Sequence, residues 1–238
     1  MILLAGLKKS REMKILVISL AGIGDTLFAT PLIHELRASF PESNIDALVL
    51  WSGAMDLLEG NPHLDTVYQK NLIKAGPHAS LKFLSTLRRN HYDISINTHP
   101  QSRIHYRLVA RLIGARVRIS HEYHDAALFD PLLVNRTLRQ DYEKHSIENN
   151  LALLSLAEVS PKLPVHDYEI YLRPADAAWA DEFIANHGLA QRIRIGVHVG
   201  SGGTKITFDG REIISHGTKT ISPGTDFIFG GREMIFAA

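Results

Sequence analysis

Apolar positions along the chain follow two rhythms in turn. KILVISL, from Lys14 to Leu20, is a short β-branched run apolar at nearly every position, which predicts a strand buried on both faces. AGIGD then predicts a turn, and TLFATPLIHELRASF carries the apolar spacing of one amphipathic helix despite Pro31. The same alternation continues with NIDALVL (Asn44 to Leu50) as a strand, SGAMDLLEG as a short helix and DTVYQ as a strand. SLKFLSTLRRN reads as a helix, YDISINT as a strand, RIHYRLVARLIG as a helix and RVRIS as a strand. Strands alternating with helices imply right-handed crossovers and a parallel sheet covered on both faces, an α/β Rossmann-like fold.

The rhythm loosens after Ser120 through HEYHDAALFDPLLVNRTLRQDYEKH. SIENNLALLSLAEV restores a helix, with Ser146 as its expected cap. DYEIYL predicts a further strand, PADAAWADEFIANHG a helix begun by Pro174 and stopped by Gly188, and RIRIGVHVG a glycine-terminated strand. A domain boundary is expected between Pro161 and Pro174, with Arg192 to Gly200 as the first strand of a second sheet. From Ile206 onward the chain is rich in Gly and Thr, repeats a phrase as FDGRE and FGGRE, and has no helical period. It allows hairpins without continuing the alternation. The expected divisions are residues 1–12 as an extension, 13–165 as the first domain, 166–205 as a linker, helix and first strand, and 206–238 as an atypical tail. A second doubly wound domain would need on the order of 100 more residues.

Composition narrows the classes. The 238 residues are 45% hydrophobic and 21% charged, which is ordinary globular composition. A formal net charge of +1 gives no general attraction to nucleic acid or acidic membranes, so anion binding must come from local clusters. No cysteine is present, which excludes a disulfide framework, a thiolate nucleophile and a cysteine zinc site, and fits a cytoplasmic location. Lys8, Lys9, Arg11 and Lys14 before an apolar run suggest a leader or a membrane span. Asp25 argues against a span, since a carboxylate at its centre costs about 2.5–3.5 kcal/mol, and the small-residue cleavage pattern is poor.

Gly22, Gly24 and Asp25 interrupt the first apolar run where ligands bind in parallel sheets, outside the carboxyl ends of the strands. Asp25 has two readings. It caps the helix, or it serves as a general base for a neutral hydroxyl, with the helix end favouring the ionised carboxylate. A dinucleotide fingerprint fails, because Leu27 occupies the third glycine position and LVLWS supplies no acid for a ribose. A second loop, GSGGTK from Gly200 to Lys205, reads either as a flexible turn or as a diphosphate cradle. In the second case Ser201, Gly202, Gly203 and Thr204 offer backbone N–H groups and Lys205 a cation. Its spacing is not that of a P-loop.

Arg103, Arg107 and Arg111 recur four apart, a spacing that serves either a solvated helix face or a binding face for carboxylates and phosphates. Arg103 lies nearest the strand's carboxyl end. No nucleic-acid motif accompanies these residues. HEYH (His121 to His124) lacks a convincing third metal ligand, and no D-x-D pair is present, so a metal-independent mechanism with no cofactor is expected.

These segments resemble glycosyltransferase family 9, the heptosyltransferases of lipopolysaccharide core assembly. The resemblance rests on KILVISLAGIGDTLFATPLIHELRASFP, LLEGNPHLDTV, LRRNHYDISINTH, ARLIGARVRIS, HSIENNLALLSL and IGVHVGSGGTK, from Met13 to Lys205 in the family's order. It implies a two-domain GT-B fold, a nucleotide-diphosphate sugar such as ADP-heptose, and metal-free inversion of the anomeric centre. By resemblance Asp25 is the base, Gly22 and Gly24 form its turn, and Ser201 to Lys205 form the donor-phosphate loop. Arg103 and Arg107 then meet an acidic lipopolysaccharide core acceptor, with peripheral contact at the inner face of the cytoplasmic membrane. The family continues after GSGGTK with a tryptophan–proline segment and a nucleotide-binding domain, and this sequence carries neither. The expectation is therefore an enzyme truncated in its second domain and in doubt as a catalyst alone. The alternatives are a non-catalytic sugar-binding remnant or half of a partner-dependent enzyme; a nucleotide-dependent oxidoreductase is disfavoured by the failed fingerprint.

Overall fold

Alternating side chains along one short strand account for the first layer of the core. In a computed structural model of the chain, β1 (Lys14–Ser19) sends Ile15 and Val17 to one face of a sheet and Leu16 and Ile18 to the other, all four fully buried. A strand covered on both faces has no solvent side, which is why its sequence is apolar throughout. The structure describes residues 13–124 and 130–191 in full, together with the backbone of residues 194–197, 206–208, 211–213, 227–230 and 233–237.

Six parallel strands form the main sheet in the order β3-β2-β1-β4-β5-β6, with β2 Asn44–Val49, β3 Thr66–Gln69, β4 Ile94–Asn97, β5 Val117–Glu122 and β6 Arg136–Arg139. Strand order reverses between β1 and β4, so a crevice opens beyond their carboxyl ends. One face packs against α2 (Thr30–Ser39) and α3 (Ser52–Leu58), the other against α4 (Gly76–Arg88) and α5 (Ile104–Ile113). Gly114 ends α5 in the left-handed region at φ 76°, and a Cβ there would lie 2.7 Å from Arg88 Nη1, so glycine suits both the backbone and the space.

Several elements differ from the sequence expectation. TLFATPLIHELRASF is not one helix: α1 (Ile23–Leu27) ends before α2 begins at Thr30. Pro31 has no N–H to give Leu27 O, and the Thr30 hydroxyl donates to that oxygen instead at 2.8 Å. Strand β5 runs past RVRIS to include His121 and Glu122, and α6 (Asp130–Leu133) and β6 lie in the segment whose pattern loosens. The helix α7 (Ser146–Ala152) continues as a 3₁₀ turn over Leu153–Ala157. Its cap is His145 rather than Ser146: His145 Nδ1 accepts from Ile147 N at 3.3 Å, and Glu148 accepts from His145 N at 3.1 Å.

DYEIYL is not a strand. It is an extended strap whose partners are side chains of α2, with Glu169 N donating to Thr30 Oγ1 at 2.9 Å. Upstream, the fully buried Glu35 accepts from Lys162 N, Leu163 N and His166 Nε2 at 2.8–3.0 Å. Burial pushes the Glu35 carboxyl up, but the three donors outweigh it and hold it below the usual glutamate range.

The chain divides into two compact units, Met1–Tyr171 and Leu172–Ala238. In the second, α8 spans Pro174–Asn186, and β7 (Arg194–Val197) pairs antiparallel with β11 (Glu233–Ala237), which pairs with β10 (Phe227–Gly230). β8 (Ile206–Phe208) and β9 (Arg211–Ile213) form a separate antiparallel pair.

Candidate functional site

The turn after β1 is held by a chain of short polar contacts. Ser19, the last residue of β1, meets Thr26 Oγ1 at 3.0 Å, and Thr26 Oγ1 donates to Gly22 O at 3.0 Å. With its own proton used, the Thr26 hydroxyl accepts from Ser19. Gly22 N donates to Asp25 Oδ2 at 2.8 Å, so the carboxylate reaches back over the helix start. Gly22 has an ordinary extended backbone, and a Cβ there would lie 3.2 Å from Asp25 Oδ2. Its glycine therefore serves the close approach of the carboxylate. Gly24 is exposed, with open space around the position of a Cβ. Asp25 is partly exposed at the carboxyl edge of the sheet, next to the crevice between β1 and β4.

Across that crevice the segment after β4 is tied down by buried amides. Thr98 N and Gln101 Nε2 both donate to Ile18 O, at 3.0 and 2.5 Å. Gln101 N donates to Tyr123 OH at 2.9 Å. Asn150, fully buried on α7, accepts from His99 N at 2.7 Å and donates to Phe28 O at 3.0 Å. One amide thus links the chain leaving the Asp25 helix to the segment after β4. His145 adds an edge-on ring contact with Phe28 at 4.9 Å.

A cleft of about 320 Å³ lies beside this segment, lined by His99, Ser102, Tyr123, His124, Gln140 and Tyr142. The His124 and Tyr142 rings stack at 4.4 Å. Burial, with His121 as a second cause, pulls the His99 imidazole down to about 4, so it is neutral at pH 7. His99 Nε2 lies 3.4 Å from Gln140 Nε2, which can only donate, so the ring proton belongs on Nδ1. That Nδ1 is buried and has no hydrogen-bond partner among the described residues. The cleft combines aromatic faces with a few polar groups, as small-molecule pockets do.

The arginines separate. Arg103 is exposed and precedes α5 as its N-cap, in extended conformation, so it is not on the helix face. Arg107 is 1% exposed; its Nε donates to Asp130 at 2.8 Å and its Nη1 to Ser102 O at 2.6 Å. The expected row of ligand-facing arginines is thus broken by a buried ion pair that anchors the segment carrying Ser102. Arg111 is exposed on α5. His121 of HEYH is buried with Nε2 2.9 Å from Asn149 O and Nδ1 3.3 Å from Leu138 O, committed to backbone carbonyls. Ser201, Gly202, Gly203, Thr204 and Lys205 lie outside the described residues.

Sequence reasoning missed the meeting of His99, Tyr123, Gln140 and Tyr142, which come from three segments; Tyr123 was in view only within HEYH. Asn150 was in view within HSIENNLALLSL without a role. Its neighbour Asn149 gives a signal in retrospect: two adjacent amides on one helix, both buried, must have fixed partners.

No protein-family model matches the chain. Among curated proteins it is 33% identical over 105 residues to lipopolysaccharide heptosyltransferase 3 of Escherichia coli, covering 42% of this chain and 30% of that protein. The protein of the same name from strain K12 is 34% identical over 104 residues, 42% of this chain and 29% of its own length. Among solved structures, the glycosyl transferase family 9 protein from Veillonella parvula DSM 2008 matches with TM-score 0.62 and 25% identity, over 75% of this chain and 51% of that one. Escherichia coli heptosyltransferase WaaC with ADP matches at TM-score 0.55 and 18% identity, over 66% and 51%, a likeness of fold. The matched part spans less than a third of the curated relatives and about half of the solved chains.

Proposed function

We propose, on the premise that sequence and fold identify the chain as a glycosyltransferase family 9 member, that it works as a heptosyltransferase-like inverting transferase. The donor is a nucleotide-diphosphate sugar of the ADP-heptose kind, and the acceptor is a lipopolysaccharide core sugar. Asp25 takes the proton of the acceptor hydroxyl as that oxygen attacks the anomeric carbon; the bond from that carbon to the diphosphate breaks, and the diphosphate leaves with the electron pair. Gly22 and Gly24 shape the turn that presents the carboxylate. Ser201, Gly202, Gly203, Thr204 and Lys205 receive the departing diphosphate by backbone N–H groups and a cation. Arg103 meets acidic groups of the acceptor, while Arg107 acts from beneath by holding Ser102 in place. The reaction needs no resident metal or cofactor, and the acceptor places the protein at the cytoplasmic face of the membrane. No described helix is long and apolar enough to cross one.

The observation that carries this reading is Asp25, partly exposed at the strand-order reversal and oriented by Gly22 N at 2.8 Å. The neighbouring cleft around His99 and Tyr142 supports it as an acceptor pocket. The test is transfer from ADP-heptose to a deacylated core acceptor, read by mass spectrometry, for the wild-type chain and Asp25→Asn. Turnover lost in the variant supports the base; equal turnover reduces Asp25 to a cap.

One observation favours a second reading, a sugar-binding chain without transfer. Among the described residues, β7 pairs antiparallel with β11, and no parallel second sheet forms. Calorimetric titration with ADP and ADP-heptose separates the two. Donor binding with turnover supports the transferase; acceptor binding without donor binding supports the second.

A further inference from the structure

Three side chains far apart in sequence meet on the outer side of α2. His34 comes from the middle of α2, His63 from the segment between α3 and β3, and Glu169 from the strap that ends the first unit. His34 Nδ1 lies 2.7 Å from Glu169 Oε1, and His63 Nε2 lies 3.4 Å from Glu169 Oε2. One donor atom from each of the three falls within 4.8 Å of the others. The Tyr171 hydroxyl adds a fourth candidate ligand at the same place, 3.1 Å from His63 Nε2 and 2.8 Å from Glu169 Oε2. A tetrahedral zinc ion with ligand bonds near 2.0–2.1 Å spaces its ligand atoms by about 3.3 Å. The observed separations bracket that value, so side-chain rotations would suffice to close the set on one ion.

The surroundings are those of a built site. His63 N donates to Asn61 Oδ1 at 2.9 Å, and His63 O accepts from Arg37 Nε at 3.3 Å. Glu169 N is held by Thr30 Oγ1. Each ligand backbone on a loop is therefore fixed by a neighbour, the support that metal ligands require. Arg37 is a nearby cation that would oppose a metal, and Asp65 pairs with it at 2.7 Å. The two imidazoles stack at 3.9 Å with planes 14° apart, so one ring must turn for both nitrogens to face a single ion.

We propose that His34, His63 and Glu169 bind one zinc ion, with the Tyr171 oxygen or a water completing the tetrahedron, and that the ion staples the 158–171 strap to α2 and to the segment before β3. Two imidazole nitrogens and a carboxylate suit zinc among divalent ions. The role is structural. It takes no part in the proposed sugar transfer, and it stands or falls independently of that reading.

The test uses the full chain without a histidine tag, stripped by chelator and titrated with zinc chloride by calorimetry. The expected result is one zinc per chain and a raised melting temperature. His63→Gln and Glu169→Gln, at partly exposed positions, are expected to keep the circular dichroism spectrum, to bind at least tenfold more weakly and to lose the melting shift. Cobalt chloride added to the wild-type chain is expected to give the intense visible bands of a tetrahedral ion. Substoichiometric binding by the wild-type chain overturns the proposal even where a variant fails to fold. So does an octahedral cobalt spectrum, or binding and melting shifts equal in folded variants, which would place the ion on other histidines.

Discussion

As the proposed base, Asp25 would perform two tasks that one substitution separates. Asparagine can still accept from Gly22 N through its amide oxygen but cannot take a proton. Asp25→Asn is therefore expected to lower transfer by about 10²–10⁴-fold with an unchanged melting temperature, whereas Asp25→Ala also loses the contact with the helix start, worth about 0.3–1 kcal/mol. Rate and melting curves on the same preparations check both. His99 makes a different prediction. Its imidazole titrates near 4 when folded and near 6.5 when unfolded, so between those values the unfolded chain binds the extra proton. The His99 contribution is fully present above about pH 6.5 and declines as pH falls toward 4. Urea unfolding at pH 7 and pH 5 is expected to show this loss in the wild-type chain and a smaller one in His99→Gln. Asp25 stood out in the sequence because a lone carboxylate after two glycines interrupts an apolar run. His99 was not, since a histidine after a strand looks the same whether it faces water or a neutral pocket.

At the scale of elements, the strands and helices of the main sheet follow from apolar periodicity, and the exceptions have local causes. Pro31 looked tolerable inside one long helix, yet the Thr30 hydroxyl takes the Leu27 carbonyl that Pro31 cannot serve, and the helix restarts. Thr30 also accepts from Glu169 N, so one hydroxyl joins the break between helices to the strap. Thr30→Val removes both bonds at nearly constant shape and leaves a part-buried carbonyl and amide without those partners. It is expected to cost about 1–3 kcal/mol, read by chemical denaturation. The strap itself, DYEIYL, has strand-like alternation but is bonded by side chains, and periodicity cannot distinguish a ladder partner from a carboxylate or hydroxyl. Strand β6 (RTLR) was missed for the opposite reason: its side chains alternate between half-buried and exposed, as at a sheet edge, and offer little apolar signal.

For the molecule as a whole, Glu35 is the anchor between α2 and the strap that leads out of the first unit. Its carboxyl is held below the glutamate reference of about 4.3, so its contribution is present above that pH and is lost as pH falls through the lower folded value. Glu35→Gln keeps the size but halves the acceptor capacity for three donors. It is expected to destabilise the chain by about 2 kcal/mol at pH 7 and by progressively less as the pH is lowered below the glutamate reference, measured by urea unfolding across that range. The parallel α/β class was readable from sequence alone, because covering a sheet on both faces demands continuous apolar strands between amphipathic helices, and that demand is local. So was the turn after β1, whose glycines and carboxylate, Gly22 to Asp25, lie within four residues. The strap's course, the burial of Arg107 against Asp130, the cleft around His99 and the meeting of His34, His63 and Glu169 were settled by folding. Each joins residues separated by a strand, a helix or more, and such encounters depend on chain path and packing, which no local pattern encodes.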